Sequence, residues 1–239
     1  MNGSFFHTVS EIKRLYVAQK LRDEMRGEWG AAVFYRWISF FISALFIKCG
    51  VSANTVTGIS IILCLLLPLV LLVNPDEAYI YLALGGFTIA ILDCVDGNIA
   101  RATNTTSFKG QYLDFITDIL YRVFLYTTLG LIIQIDSVGN VFLSRNADFF
   151  CLLSATLAII ARLCRVYTEN RFSDNNSIST NNKSKAIIFS FLSGLDQILP
   201  IFILVAGIFD LLFWVMIWIM FYSLLDFIYT QMNNFRRLQ

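Results

Sequence analysis

The chain has 239 residues, 57% of them hydrophobic and only 15% charged, with Phe alone occurring 22 times. Its mean hydropathy is +0.66. A soluble domain carries about 45–50% apolar and about 25% charged residues, so the composition excludes a soluble globular protein and points to an all-α, multi-pass membrane protein. The net charge of +1 supplies no global field for nucleic acid.

Residues 2–7 lack a charged stretch followed by an apolar one, and no cleaved signal peptide is expected. In residues 8–28, Val9, Ile12, Leu15, Tyr16 and Met25 alternate with Lys13, Arg14, Lys20, Arg22 and Arg26, a pattern that predicts an amphipathic helix on the membrane surface. The segment 31–47 is interrupted by Arg36. Its unbroken run from Trp37 to Ile47 has about eleven residues, short of the roughly 20 that span a bilayer. It therefore reads as interfacial, with Arg36, Trp37 and Lys48 at headgroup level; a full first span is the alternative. Residues 1–50 thus form a cytoplasmic or interfacial amphipathic region and 51–239 a six-span domain.

After the break at Gly50-Val51-Ser52-Ala53-Asn54, six apolar stretches follow at about 55–73, 78–99, 108–134, 148–169, 186–206 and 208–230. Asn74-Pro75-Asp76-Glu77 reads as a tight turn and Ser173 to Ser184 as a flexible loop. The N-terminal basic cluster, Arg101, Lys109, Arg171, Lys183, Lys185, Arg236 and Arg237 fall on one set of connections. Arg145 falls on the other, with Asp76, Glu77, Asp136, Asp148 and Asp210. By the positive-inside rule both termini and the connection between spans two and three face the cytoplasm of a cell membrane. The cysteines at 49, 64, 94, 151 and 164 form no C-x-x-C pair and read as reduced, buried thiols, with neither a disulfide nor a zinc site expected.

Four acids stand against this apolar background. Asp93 and Asp96 are three residues apart near the end of the second span, and Asp114 and Asp118 four apart near the start of the third. Both spacings put the pair on one helix face. Ionisable groups within membrane segments are expensive and mark functional sites by default. A hard divalent cation removes the repulsion, and all-oxygen ligands suit Mg²⁺ or Mn²⁺; four carboxylates suffice for two ions, the clamp used in phosphoryl chemistry. Gly97 and Ala100 leave room for a ligand, and Arg101 offers a fork of donors for phosphate.

Written as D-x2-D-G-x2-A-R-x8-G-x3-D-x3-D, residues 93–118 match the signature of the CDP-alcohol phosphotransferases at every defined position. Ala53-Asn54-Thr55-Val56-Thr57 resembles the family's P-N-x-x-T, with Ala in place of Pro. The resemblance implies six spans behind an amphipathic N-terminal helix, a CDP-linked donor, two divalent ions, and transfer of a phosphoryl-alcohol group to an acceptor hydroxyl with release of CMP. It implies Asp93, Asp96, Asp114 and Asp118 as metal ligands and Asp118 also as general base. It places Asn54, Thr57, Gly97, Ala100, Arg101, Ser107 and Gly110 at the nucleotide and diphosphate, and it implies a homodimer.

Other polar residues have plainer readings. Arg122, one turn beyond Asp118, reads as a supporting ion-pair partner, and Ser107 doubles as a helix start. Arg162 and Arg165 read either as topology signals or as a pocket for an acceptor phosphate or lipid headgroups. Lys183 and Lys185 read as topological, and Asp196 and Asp226 as polar helix contacts or a dimer interface. His7, the one histidine, supports no mechanism. Phe209, Phe213, Trp214, Trp218, Phe221 and Tyr222 read as a lipid-facing tail. The expected activity is phosphatidyl transfer from CDP-diacylglycerol to a small alcohol. Transfer from a soluble CDP-alcohol to a lipid acceptor is the alternative. A cation carrier would spread its carboxylates over several spans, and a prenyltransferase would carry a second aspartate-rich motif.

Overall fold

The computed structural model describes residues 5–27, 29–72, 74–136, 142–172 and 194–238. Among these the fold is all-α, with no strand. In chain order come α1 (Phe5–Gln19), α2 (Leu21–Gly27) and α3 (Arg36–Lys48), the last entered through a π-helical turn at Ala31–Tyr35. α4 (Ala53–Leu66) runs on as a 3₁₀ segment, Leu67–Leu72, and is followed by α5 (Pro75–Ala102) and α6 (Phe108–Asp136). α7 (Phe142–Arg145), α8 (Ala147–Phe172), α9 (Leu199–Ile208) and α10 (Leu212–Leu238) complete it.

Local chemistry fixes the helix ends. Ser52 caps α4 by accepting a 3.2 Å bond from the Thr55 N–H, and Pro75 opens α5 with Asp76 and Glu77 in its first turn. Three helices end the same way, each on a residue with positive φ: Gly50 after α3, Asn104 after α5 and Asp210 after α9. In each case the next N–H reaches back to the helix, Val51 to Phe46, Thr105 to Ala100 and Leu211 to Ala206. This pairing satisfies carbonyls that would otherwise be orphaned. Asn and Asp fill two of these positions because their short polar side chains tolerate the left-handed region.

Six helices are long and apolar enough to cross a membrane: Ala31–Lys48, Ala53–Leu72, Asp76–Ala102, Phe108–Ile135, Ala147–Thr168 and Leu212–Arg236. Five match expected spans. The first corrects the expectation that 31–47 is too short: the π-helical turn carries the helix unbroken through Arg36, giving 18 residues. Of the expected span 186–206, the described part holds α9, an apolar helix of 10 residues; residues 186–193 lie outside the described residues. So do the 173–184 loop, Lys183 and Lys185.

The main core joins α4, α5, α6, α8, α9 and α10 around Leu82, Leu125, Leu129, Ile203, Met216 and Ile219. A second core packs Tyr35 and Val56 against Ile91, Val95 and Ile99 of α5. The apolar stripe of α1 does not face lipid as expected. Ile12 and Tyr16 are buried against Phe40 and Ala44 of α3. Two further expectations are corrected. Cys64, Cys94 and Cys151 are buried thiols, but Cys49 is exposed and Cys164 half-buried. In the aromatic tail, Phe209, Trp214 and Phe221 are exposed, whereas Tyr222 is buried and stacks on Trp218 at 6.3 Å.

Candidate active site

A cavity of about 420 Å³ opens where α4, α5, α6 and α8 converge. α5 brings Asp93, Asp96, Gly97, Ala100 and Arg101 to its wall, and α6 brings Gly110, Asp114, Asp118 and Arg122. Asn54 and Thr57 come from α4, Arg162 from α8, and Ser107 from the α5–α6 connection. All the residues expected at metal and donor thus line one space. The spacing logic holds because α5 and α6 are continuous helices through both acid pairs.

The carboxylates differ in their partners. Asp96 accepts a 2.8 Å hydrogen bond from Thr57 Oγ1 and a short one from the Gly97 N–H. Asp93 and Asp114 face the same cavity from α5 and α6. Asp118 is held by two guanidiniums, Arg122 Nε at 3.2 Å and Arg162 Nε at 3.4 Å. Among the described residues Asp118 alone of the four forms an ion pair, and no three acids are already gathered as a ligand set. Three carboxylates without a basic partner, all oxygen donors on one wall, fit a hard divalent cation better than they fit a structural ion-pair network.

Arg101 lies folded over Gly97. A Cβ added at Gly97 would stand 3.1 Å from Arg101 Nη1 and 3.2 Å from Nη2, so a side chain there would crowd the guanidinium. Gly110 is less constrained: an added Cβ would only make ordinary contact with Asn54 Oδ1 and Ser107 Oγ, each at 3.4 Å. Ser107 also caps α6 by accepting from the Gly110 N–H at 3.1 Å, so its reading as a helix start holds, and it lines the cavity as well.

Arg122 bridges Asp118 and Asp196, reaching Asp196 Oδ2 at 2.6 Å, and Tyr126 donates to Asp196 Oδ1 at 2.7 Å. Asp196 is therefore a helix contact, as expected, but one that lines the cavity. Arg165 does not line it. It is bound to Asp226, and to Thr230 Oγ1 at 2.8 Å, which makes Asp226 a polar helix contact. Arg162 and Arg165 thus point to different partners despite sharing a helix.

The sequence reading missed Lys20, Glu24, Tyr35 and Arg36, which line the cavity from the N-terminal side. Glu24 and Arg36 form a buried, two-pronged ion pair. Tyr16 donates to the same carboxylate at 2.8 Å. Burial, and then that carboxylate, hold the Tyr16 hydroxyl protonated well above the usual phenol range. The available signal was Arg36 itself, a charge inside an apolar run that must find a partner.

No curated protein matches the chain. The pattern of the CDP-alcohol phosphatidyltransferase family matches residues 50–225, from the turn before α4 into α10, and takes in all four aspartates of the cavity. The chain belongs to the CDP-alcohol phosphatidyltransferase family.

Proposed function

We propose that the chain transfers a phosphoryl-alcohol group from a CDP-linked donor to an acceptor hydroxyl and releases CMP. The observation that carries this reading is the single cavity in which the four aspartates face Arg101 and the Asn54–Thr57 turn. Family members are in general divalent-metal dependent. In this chain Asp93, Asp96, Asp114 and Asp118 would hold the ions, two Mg²⁺ or Mn²⁺. When bound, the metal neutralises charge on the diphosphate as its anhydride bond breaks.

The chain's own groups supply the rest. Arg101, Gly97 and Ala100 receive the diphosphate, with Asn54, Ser107 and Gly110 beside it. Asp118 accepts the proton of the acceptor hydroxyl; that oxygen bonds to the donor's phosphorus, the phosphoanhydride bond breaks, and CMP leaves with the electron pair. Arg122 and Arg162 hold the Asp118 carboxylate in place beside the acceptor.

The preferred donor is CDP-diacylglycerol with a small anionic or polar alcohol as acceptor, because an acceptor at Asp118 stands between two guanidiniums. A soluble CDP-alcohol with a lipid acceptor is the second reading. It is favoured by the engagement of Arg165 with Asp226, which removes one of the two arginines expected to hold an acceptor phosphate.

We place residues 1–50 at the cytoplasmic interface of the membrane. Glu11, Lys13 and Arg14 ride on α1, which packs along α3. If α3 crossed the bilayer, these charges would be carried toward hydrocarbon with it, and ionisable groups inside a membrane are expensive. Lying flat, α3 and the turn before it present Phe34, Trp37, Phe41 and Leu45 to lipid, all of them exposed.

The test is CMP release by the purified chain in lipid nanodiscs, with a panel of CDP-linked donors, acceptors and Mn²⁺. CMP is expected with at least one pair and is lost in Asp118→Asn. No CMP with any pair, together with an ion flux that Asp118→Asn alters, would establish the cation-carrier reading instead.

A further inference from the structure

The family pattern begins at residue 50, yet Lys20, Glu24, Tyr35 and Arg36 line the cavity from ahead of it. Their connection to the motif is specific. Arg36 is 6% exposed, and Glu24 and Asn98 are each 1% exposed. Arg36 grips Glu24 with Nε, at 3.0 Å, and with Nη2. Its remaining nitrogen, Nη1, donates to the Cys94 carbonyl and to Asn98 Oδ1, both at 3.1 Å. Asn98 Oδ1 accepts a second bond, from Arg101 Nη2 at 3.0 Å. Its amide nitrogen is fixed by Ser39 Oγ at 3.0 Å and Ser43 Oγ at 3.3 Å, both on α3. Two arginines therefore share one amide oxygen. One of them is neutralised by Glu24; the other, Arg101, has no acid partner among the described residues.

We propose that Arg36 is a positioning residue for the donor diphosphate. By occupying Glu24 it keeps that carboxylate from capturing Arg101, and through Asn98 it sets where the Arg101 guanidinium stands. The N-terminal segment would then be part of the catalytic unit rather than a membrane tether. The proposal rests on the reading above, that Arg101 meets the diphosphate.

The electrostatics give this a direction. Glu24 is a buried carboxylate, and a buried charge without a partner is strongly unfavourable. With Arg36 removed, Arg101 is the cation already bonded to the shared Asn98 oxygen, within the field of Glu24. It can move into the vacated place only by giving up its present position over Gly97. A packing role alone predicts something different: truncating Arg36 would be harmful whether or not Glu24 is charged.

The experiment uses the full chain in nanodiscs, with two readouts: equilibrium binding of CDP in the presence of Mn²⁺, and KM and kcat for whichever pair the wild type turns over. Arg36→Met is expected to weaken CDP binding and raise the donor KM about tenfold or more, while kcat at saturating donor stays within about threefold. Adding Glu24→Gln to Arg36→Met should restore both constants to within about threefold of wild type, since a neutral amide does not compete for Arg101. Glu24→Gln alone, which keeps an acceptor for Arg36, should bind CDP as wild type does. Where Arg36→Met fails to fold, the double variant, which buries no charge of the pair, and Glu24→Gln carry the test. Unchanged CDP affinity in Arg36→Met, a double variant as weak as the single, or weakened binding in Glu24→Gln would each overturn the proposal. A wild-type chain that binds no CDP would overturn the functional reading beneath it, which keeps the two failures distinct.

Discussion

Thr57 on α4 donates a 2.8 Å hydrogen bond to Oδ2 of Asp96 on α5, while its hydroxyl also lies 3.1 Å from the Ala53 carbonyl of its own helix. The bond ties the upstream Asn54–Thr57 turn to the aspartate motif across 39 positions of sequence. Ala53 opens α4, and Ser52 caps it. Thr57→Val keeps the branched shape and removes the donor. Hydrogen bonds to charged groups are worth about 1.5–3 kcal/mol, so the donor kcat/KM should fall about tenfold to a hundredfold, with Thr57→Ser close to wild type. Steady-state CMP release measures it; equal loss in the Ser variant would show that shape rather than the hydroxyl matters.

The four aspartates should separate by role. Asp93→Asn and Asp114→Asn, which have no basic partner of their own, should abolish metal-dependent CDP binding, as should chelation of divalent ions with restoration by Mn²⁺. Asp118→Asn should lose turnover by about 10²–10⁴-fold, the usual range for a general base, with a smaller loss of CDP affinity. Paired binding and single-turnover measurements decide. Unchanged turnover in Asp118→Asn would remove it from the base role.

The motif could be read because chemistry there is local: acids three and four apart on a helix must share a face, whatever the rest of the fold does. The course of α5 and α6 followed from the same periodicity. Arg36 shows what could not be read. Its charge broke the apolar run and shortened the helix on paper, but Glu24, twelve positions away, neutralises it and lets the helix continue. No local pattern names that partner. Ile12 and Tyr16 are a like case: an apolar stripe says that a face is covered, not whether by lipid or by Phe40 and Ala44. Asp196 was legible as a polar contact, but its place in the cavity depends on Arg122 and Tyr126, some 70 positions earlier.

Arg122 is the shared cation between Asp118 and Asp196, and Asp196 is only 8% exposed. Removing it leaves a buried carboxylate without its countercharge. Breaking a buried pair from one side costs about 3–5 kcal/mol, so Arg122→Met should lower the thermal unfolding temperature clearly, whereas Arg122→Met with Asp196→Asn should recover most of it. Activity should not recover in the double variant, because Asp118 still lacks Arg122. Thermal unfolding read beside CMP release separates the two roles; joint recovery would mean that Arg122 serves stability alone.

Gly130 lets α6 pass close to the start of α8. A Cβ there would stand 2.8 Å from the Ala147 carbonyl oxygen, 2.8 Å from Asp148 Cα and 2.9 Å from Cys151 Cβ. The first two are backbone atoms, which cannot turn aside as a side chain can, so Gly130→Ala must push the helices apart. Small residues are what allow such approach between membrane helices, and overpacking typically costs about 1–3 kcal/mol. Gly58 on α4 is the control, since nothing lies within 4 Å of an added Cβ there. Alanine at that position should be neutral or stabilising by up to about 1 kcal/mol through helix propensity. Gly130 also lies twelve residues past Asp118, about 18 Å along the same helix. The Gly130→Ala protein that remains folded should therefore keep its kcat/KM while its unfolding temperature in detergent falls below that of Gly58→Ala. Loss of activity at full stability would mean that the α6–α8 crossing governs the geometry of the cavity rather than the packing of the far end.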